Sequence, residues 1–506
     1  MKNNSRIYLL PLIAALGFGA CNKQLDAVQP LNYIDQQGEL STLPGILEAT
    51  NGGYINLQNN SGVFDTYEMV LHNISEFRGN NVEMDPGAAI LQKRDAFNYT
   101  NSGVGTSGYG EAFWRESYQL IVGVNSVLDG IATFRSNGSV LALAASQQLQ
   151  LSHAEGENHF LRAFAYFNLV RVFGMPYYNN PSANPGVMIK NDANPQNIPA
   201  RSTVEQTYVQ IIRDLQQAAA LMQGTATGLN SQVSLGAVWA LLSRVYLYMG
   251  GTSANPSSQY NQLATTYADS VINKGGYTLL QGQNYVNMFV ADINGSLGRK
   301  NGTSNPEIIF AYDHSTPIYR SWINSFYHYL NYYGTTFGGF YPSASYQGLL
   351  TSGDLRKNFL QVNSVTGRME TTKYDVSVIA FYASPPVIYL RLAEAYLNRA
   401  EAKAKTGDAA GALADLNTIH QRAALTAYTG LSGSALMDSI LVERRRELAF
   451  EGHSSFDDFR NGRPMIRPAG DTGGAPFVIQ PDDPKVVMRI PFDDIATNPK
   501  LKQNDQ

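Results

Sequence analysis

From Glu111 onward the chain settles into a helical spacing. Trp114, Tyr118, Ile121, Asn125 and Leu128 recur at steps of four, three, four and three, the stripe of an amphipathic helix. The stretch "HAEGENHFLRAFAYFNLVRVFG" puts Phe160, Phe164 and Phe167 on one face and stops at Gly174, with Pro176 two residues on. That is normal punctuation for a helix C-terminus. Thr203 and Gln206 form a capping-box pair ahead of Tyr208, Ile211 and Leu215, and "SLGAVWALLSRVYLYMGG" reads as a further helix closed by Gly250-Gly251. In the C-terminal third, "PPVIYLRLAEAYLNRAEAKAKTGDAAGALADLNTIHQRAAL" reads as two helices around a Gly407-Asp408 turn. Gly407 suits the left-handed position after a helix, and Asp408 can accept from the next helix's free N–H groups. With Ala412 and its small neighbours, this turn resembles that of a tetratricopeptide repeat. A third helix runs from Ala435 to Glu451 and ends at Gly452. The pattern predicts a mainly α fold, a scaffold of tetratricopeptide-like helix pairs with long irregular loop insertions and few short strands.

Two intervals break the helical period. Residues 22–110 are rich in Asn, Gly and Ser and take no assignment. Residues 281–385 carry no sustained period, and an interval that long inside a compact domain points to function. Within it, Tyr319 to Tyr346 holds eleven aromatic rings in twenty-eight positions, in a chain that is 11% aromatic. Tyr327, Tyr329, Tyr332 and Tyr333 spread around a helical wheel, and Gly334, Gly338, Gly339 and Pro342 interrupt any long element. Tyrosine and tryptophan offer a flat apolar body with a polar tip, which suits the C–H faces of sugar rings. Packing accounts for most of these rings. One to three are expected to line a ligand surface, Trp322 first, with Tyr319, Tyr332 and Tyr333 beside it. A second, weaker candidate is "SEFRGNNVEMDPG": Arg78 and Asn81 supply planar donors and acceptors, with Tyr99 downstream. A solvated loop is the competing reading there.

Composition narrows the function. The 506 residues are 44% apolar and only 15% charged, with a net charge of −4. No cluster of Lys and Arg awaits a polyanion, so nucleic acid is excluded as a partner. Lys2 and Arg6 precede an apolar run from Ile7 to Ala20, and then comes Cys21, the chain's single cysteine. The run is too short for a resident membrane helix, and it looks like a bacterial lipobox in which residues 1–20 are removed and Cys21 is lipidated. Gly103 to Gly108 spell the GxGxxG pattern, but "DAFNYTNS" upstream is polar and turn-like, so no strand-turn-helix unit supports it. No HExxH, GxSxG or Walker sequence occurs, and the seven histidines lack metal-ligand spacing. No catalytic residue, metal or cofactor is therefore assigned. Asp457-Asp458 and Asp482-Asp483 read as solvated loop charges, since neither has the alternating oxygen spacing of a calcium loop.

Taken in order, these segments resemble the SusD/RagB family of outer-membrane nutrient-uptake lipoproteins. The resemblance is carried by Cys21; by Trp114, Tyr118 and Asn125; and by "HFLRAFAYFNLVRVFGMPY". It continues in "YLRLAEAYLNRAEAKAKTGDAAGALADLN", "ERRRELAFEGHSSFDDFRNGR" and the closing "RIPFDDIATNPKLKQN". His453 stands where an arginine is usual after Glu-Gly, and "FRNGR" replaces the common Arg-Trp-Gly, which marks a divergent member. The resemblance implies one SusD-like domain over 21–506, with helical repeats at about 111–280 and 386–452 and a ligand-facing excursion at about 281–385. It also implies a non-catalytic, lipid-anchored protein of the cell surface that binds glycan and delivers it to a SusC-like TonB-dependent β-barrel transporter. A peptide ligand on the same fold, a surface glycoside hydrolase and a protein-binding helical scaffold are the alternatives.

Overall fold

The computed structural model describes residues 36–57, 67–85, 87, 91–100, 109–194, 196–224, 230–289, 305–312, 327, 330–332, 335–374 and 387–504. Part of the unassigned N-terminal interval is helical: α1 (Leu43–Ile55), α2 (Tyr67–Phe77), then strand β1 (Val82–Met84) and α3 (Leu91–Asn98). Glycine hid α1 from its sequence pattern. Thr42 caps it by accepting from the Gly45 N–H at 3.2 Å, and a Cβ on Gly53 would stand 2.9 Å from Leu161 Cδ1. The residue that lowers helix propensity here lets two helices approach closely.

The stripe from Glu111 forms α4 (Glu111–Ser136), packed along α5 (Ala145–Phe173). Trp114 meets Phe173 edge-on at 4.8 Å. Asn125, the one polar member of the stripe, donates to the Lys190 and Asp192 carbonyls and accepts from Arg162. A short ribbon, β2 (Pro185–Met188) with β3 (Arg201–Thr203), leads into α6 (Val204–Leu221), which has the expected Thr203/Gln206 capping box. Then come α7 (Leu235–Met249) and α8 (Ser258–Lys274).

The described residues of the interval after residue 281 form short helices, Gly282–Val286 and Ala344–Leu349, and short strands. Strand β4 (Ile308–Tyr312) precedes β5 (Leu330–Tyr332), β6 (Thr335–Phe337), β7 (Phe340–Pro342), β8 (Leu360–Val362) and β9 (Met369–Thr371). After it the segment read as pure helix begins instead with a strand, β10 (Val387–Arg391), paired antiparallel to β4. All five β10 residues are buried. A run with β-branched and aromatic residues, buried on both faces, stays extended, and helix α9 (Leu392–Lys405) starts only after Arg391.

Helices α10 (Ala409–Arg422), α11 (Gly433–Leu448) and α12 (Ser454–Arg460) complete the helical scaffold, followed by the ribbon β11 (Met465–Arg467) with β12 (Phe477–Ile479). Helix α5 packs on α6, α7 on α8 and α9 on α10, while α8 against α9 joins successive pairs. This is a tetratricopeptide-like stack, mainly α with few short strands. The α9–α10 turn has the expected chemistry: Gly407 sits at φ +91° and the Asp408 carboxylate accepts from the Gly411 N–H at 2.9 Å. Asp408→Ala is expected to cost about 1 kcal/mol, read as a lower denaturant midpoint with unchanged slope.

Beneath the stack lies a buried ionic core. Glu443 and Glu447 of α11 and Glu451 just beyond it are spaced to share one side of the element. They meet Arg356, Lys373, Arg391 and Arg422, all buried. Glu307 closes the network by accepting from Arg391 and Arg422.

Candidate ligand face and an adjacent cleft

The aromatic interval is fastened to the core by β7, which pairs antiparallel with β1 so that Glu83 faces Tyr341 and Met84 faces Phe340. The pairing continues at both ends, with Asp85 N donating to Gly339 O at 2.7 Å and Ser343 N to Asn81 O at 2.9 Å. Gly338 and Gly339 link β6 to β7 at φ +111° and +107°, values that a side chain would oppose. Phe340 stacks on Phe77 at 4.0 Å. Tyr327 donates to Asn73 Oδ1 at 2.7 Å and meets Phe450 edge-on, as Tyr346 does. Burial pushes the Tyr327 hydroxyl well above its ordinary pKa. These rings are anchors.

Tyr341 lies under the Arg368 guanidinium, 4.7 Å from the ring centre. Arg368 in turn reaches Asp85 at 3.3 Å and Glu83 at 3.8 Å while staying half exposed. Burial raises the Glu83 carboxyl and Arg368 partly offsets it. This ribbon carries a charged edge, and the chain enters it from the β5–β6 hairpin, where Tyr332 pairs with Thr335. Trp322, Tyr319 and Tyr333 lie outside the described residues, as do Cys21 and the Gly103–Gly108 pattern.

The second sequence candidate lies on the expected loop, in the turn between α2 and β1, but its side chains face inward. Arg78, Asn81 and Tyr99 are all buried. Arg78 donates to the Lys485 and Val486 carbonyls and covers the Tyr99 ring at 4.0 Å, while the Tyr99 hydroxyl donates back to the Arg78 carbonyl. Asn81 donates to Glu76 and accepts from Arg445 Nε at 2.8 Å. Their polar groups are taken up inside the protein, because a buried donor or acceptor without a partner is costly.

Asp457 and Asp458, read as solvated loop charges, belong to α12. They border a cleft of about 380 Å³ between α11 and α12, lined also by Asn80, Arg445, His453 and Arg463. Asp457 is paired to Arg444 and Arg460. Asp458 is pushed up to about 7 by burial and by Asp457, against the pull of Arg445, Arg463 and Arg460. Sequence reasoning missed this cleft: in "ERRREL" the glutamates face the core and Arg445 faces outward, a split that only helical phase encodes. Among the described residues no group of three His, Cys, Asp or Glu could hold a metal ion, and no helix is long and apolar enough to cross a membrane.

A helical-repeat stack bearing an aromatic, ribbon-pinned excursion defines a class of protein that holds its site on loops of a rigid scaffold. Comparison with known proteins names the class. Residues 248–506 match the SusD family, and residues 60–247 match a family described as starch-binding and associating with the outer membrane. The chain belongs to the SusD family. A "SusD-like protein P2" of Formosa agariphila is 23% identical over 224 residues, which is 44% of this chain and 39% of that relative. The match therefore spans about two fifths of the curated relative. A putative sugar binding protein from Bacteroides vulgatus superposes with a TM-score of 0.75 at 27% identity, over 92% of this chain and 98% of that one. A SusD superfamily protein from Bacteroides thetaiotaomicron superposes at 0.73 with 24% identity, over 92% and 100%.

Proposed function

We propose that this protein is a non-catalytic, glycan-capturing lipoprotein of the outer membrane, anchored through Cys21, that passes oligosaccharide to a TonB-dependent β-barrel transporter. The observation that carries this reading is the division of labour within the aromatic stretch. Tyr327, Phe340 and Tyr346 are spent on the core and Tyr341 is held under Arg368, so the excursion has a rigid root. A fixed root lowers the ordering cost of binding by the excursion it carries. Tyr319, Trp322, Tyr332 and Tyr333 are the rings assigned to sugar, with the Glu83, Asp85 and Arg368 edge available to hydroxyls. Asn81 holds the root through the Ser343 N–H, while Arg78 and Tyr99 pair with each other against the Lys485–Val486 segment. The starch-binding description of the matching family and the sugar-binding description of one structural neighbour agree with this assignment.

Affinity electrophoresis of the soluble form lacking residues 1–21, run through gels containing different polysaccharides, tests the reading. Retardation by one of them is expected, with Trp322→Ala weakening it roughly tenfold while the helical circular dichroism persists. Equal retardation of both proteins would remove Trp322 from the site. Steady release of reducing sugar would replace capture by hydrolysis.

A further inference from the structure

The cleft between α11 and α12 holds two opposite charges that the protein leaves apart. Arg444 and Arg460 are committed to Asp457, and Arg460 also to Glu401. Arg463 pairs with Asp438 at the exposed rim, at 2.5 Å. Arg445 uses Nε on Asn81 Oδ1 and Nη2 on the Asn80 carbonyl and Ser345 Oγ. All three acceptors are neutral; among the described residues Arg445 makes no ion pair, Asp458 and Asp471 acting on it only through space, and its Nη1 has no hydrogen bond. The Asp458 side chain is half-buried, yet among the described residues it takes no hydrogen bond and no ion pair, although its backbone carbonyl accepts from Asn461 and Arg463. On the same cleft wall, His453 is 5% exposed and its Nδ1 has no hydrogen-bond partner among the described residues. Burial, with Arg244 and Arg444 nearby, drives the His453 imidazole well below its ordinary pKa, so the ring is neutral and able to accept.

A half-buried carboxylate and a half-buried guanidinium on one cleft, acting on each other only through space and neither in contact with a counter-ion, form a costly arrangement in the empty protein. A ligand that carries both missing charges would satisfy them together. A simple cation would meet the repulsion of Arg445 and Arg463, and a simple anion that of Asp457 and Asp458. We propose that this cleft is a second binding site, separate from the aromatic face, that takes a small zwitterion of the α-amino-acid class. Its ammonium lies on Asp458 and His453 Nδ1, and its carboxylate lies on Arg445. Leu441, Val442 and Leu448 line the same cleft and receive the ligand's apolar part. A volume of about 380 Å³ lies at the lower end of the range for small-molecule sites.

The test uses the soluble protein lacking residues 1–21. Thermal-shift screening with individual α-amino acids is followed by calorimetry of the best one, with ethylamine and propionate as single-charge analogues. At least one amino acid is expected to bind, and both analogues to bind at least tenfold more weakly. Asp458→Asn is expected to lower the amino-acid affinity at least tenfold, and Leu441→Trp, which fills the cleft from its other wall, to abolish binding. Trp322→Ala should leave the affinity unchanged, which separates this site from the glycan reading. Asp458 is the cleft group pushed up to about 7, while burial and the nearby arginines hold His453 well below its ordinary value. As pH rises through about 7 its carboxylate form accumulates, so binding should tighten about tenfold between about pH 6 and about pH 8. Binding by no amino acid, equal binding of ethylamine, or full affinity in a folded Asp458→Asn protein would each overturn the proposal.

Discussion

Glu447→Gln is expected to destabilise the protein by about 3–5 kcal/mol, read as a fall in the urea midpoint at pH 7 with an unchanged slope. The carboxylate is fully buried. One oxygen accepts from Arg391 Nη1 at 2.6 Å and from Arg422 Nη2, and the other accepts from the Tyr285 hydroxyl at 2.8 Å. Glutamine keeps the shape but removes the charge that three guanidiniums share, and its amide group points donors at donors. Arg391 and Arg422 would still face Glu307 and Glu451, so the cost is that of an under-compensated network and not of a bare charge. Arg135→Gln is the control. It breaks a pair of nearly the same length, 2.7 Å to Glu155, but at 35% and 21% side-chain exposure. Water already screens that pair, so the expected loss is about 0–1 kcal/mol. Equal losses for the two variants would mean that burial does not set the value of these pairs.

The helical scaffold was legible because its signals are local. The stripe from Trp114 to Leu128, the Thr203/Gln206 box and the Gly407-Asp408 turn each lie within a few residues, and each formed where expected. Strand β10 was missed for the complementary reason: "VIYLR" is an apolar run with no period of its own, and a helix follows it without a break. The burial of Arg78, Asn81 and Tyr99 was hidden for another reason. Their partners lie far along the chain, with Arg445 at 364 positions from Asn81 and Val486 at 408 from Arg78. Nothing near Arg78 records that a distant carbonyl will bury it. The "ERRRELAFEG" segment was legible as a family signature before its purpose was. Its glutamates compensate three arginines and a lysine, Arg356, Arg391, Arg422 and Lys373, drawn from four other segments, which explains why so many charges concentrate in a chain only 15% charged.

The same network makes acid the condition to which the fold responds most. Burial alone would raise the carboxyls of Glu401, Glu443, Glu447 and Glu451, but the cations facing them outweigh it, and all four lie below their ordinary value of 4.5. For Glu447 the opposing groups are Arg422, Arg391 and Arg356; for Glu401 they are Arg460 and Lys405. A carboxyl with a depressed folded pKa contributes stability that is complete above 4.5 and is lost as pH falls through the folded value, because between the two values the unfolded chain binds more protons. Between about pH 7 and about pH 5 two other groups act in opposite senses. His453, held neutral by burial, loses its contribution as pH falls below 6.5, while Asp458, raised to about 7, gains as it takes up its proton. Buried Glu76, raised by its desolvation, also favours the acid side. The expected curve is therefore nearly flat from about pH 7 to about pH 5 and steep below 4.5, with more than about 3 kcal/mol lost by about pH 3. Urea midpoints measured across that range give the curve directly. Glu447→Gln should start lower and fall less steeply, because it has one fewer depressed carboxyl to protonate. A wild-type midpoint that stays level down to about pH 3 would show that these ion pairs are not what holds the stack on its ribbons.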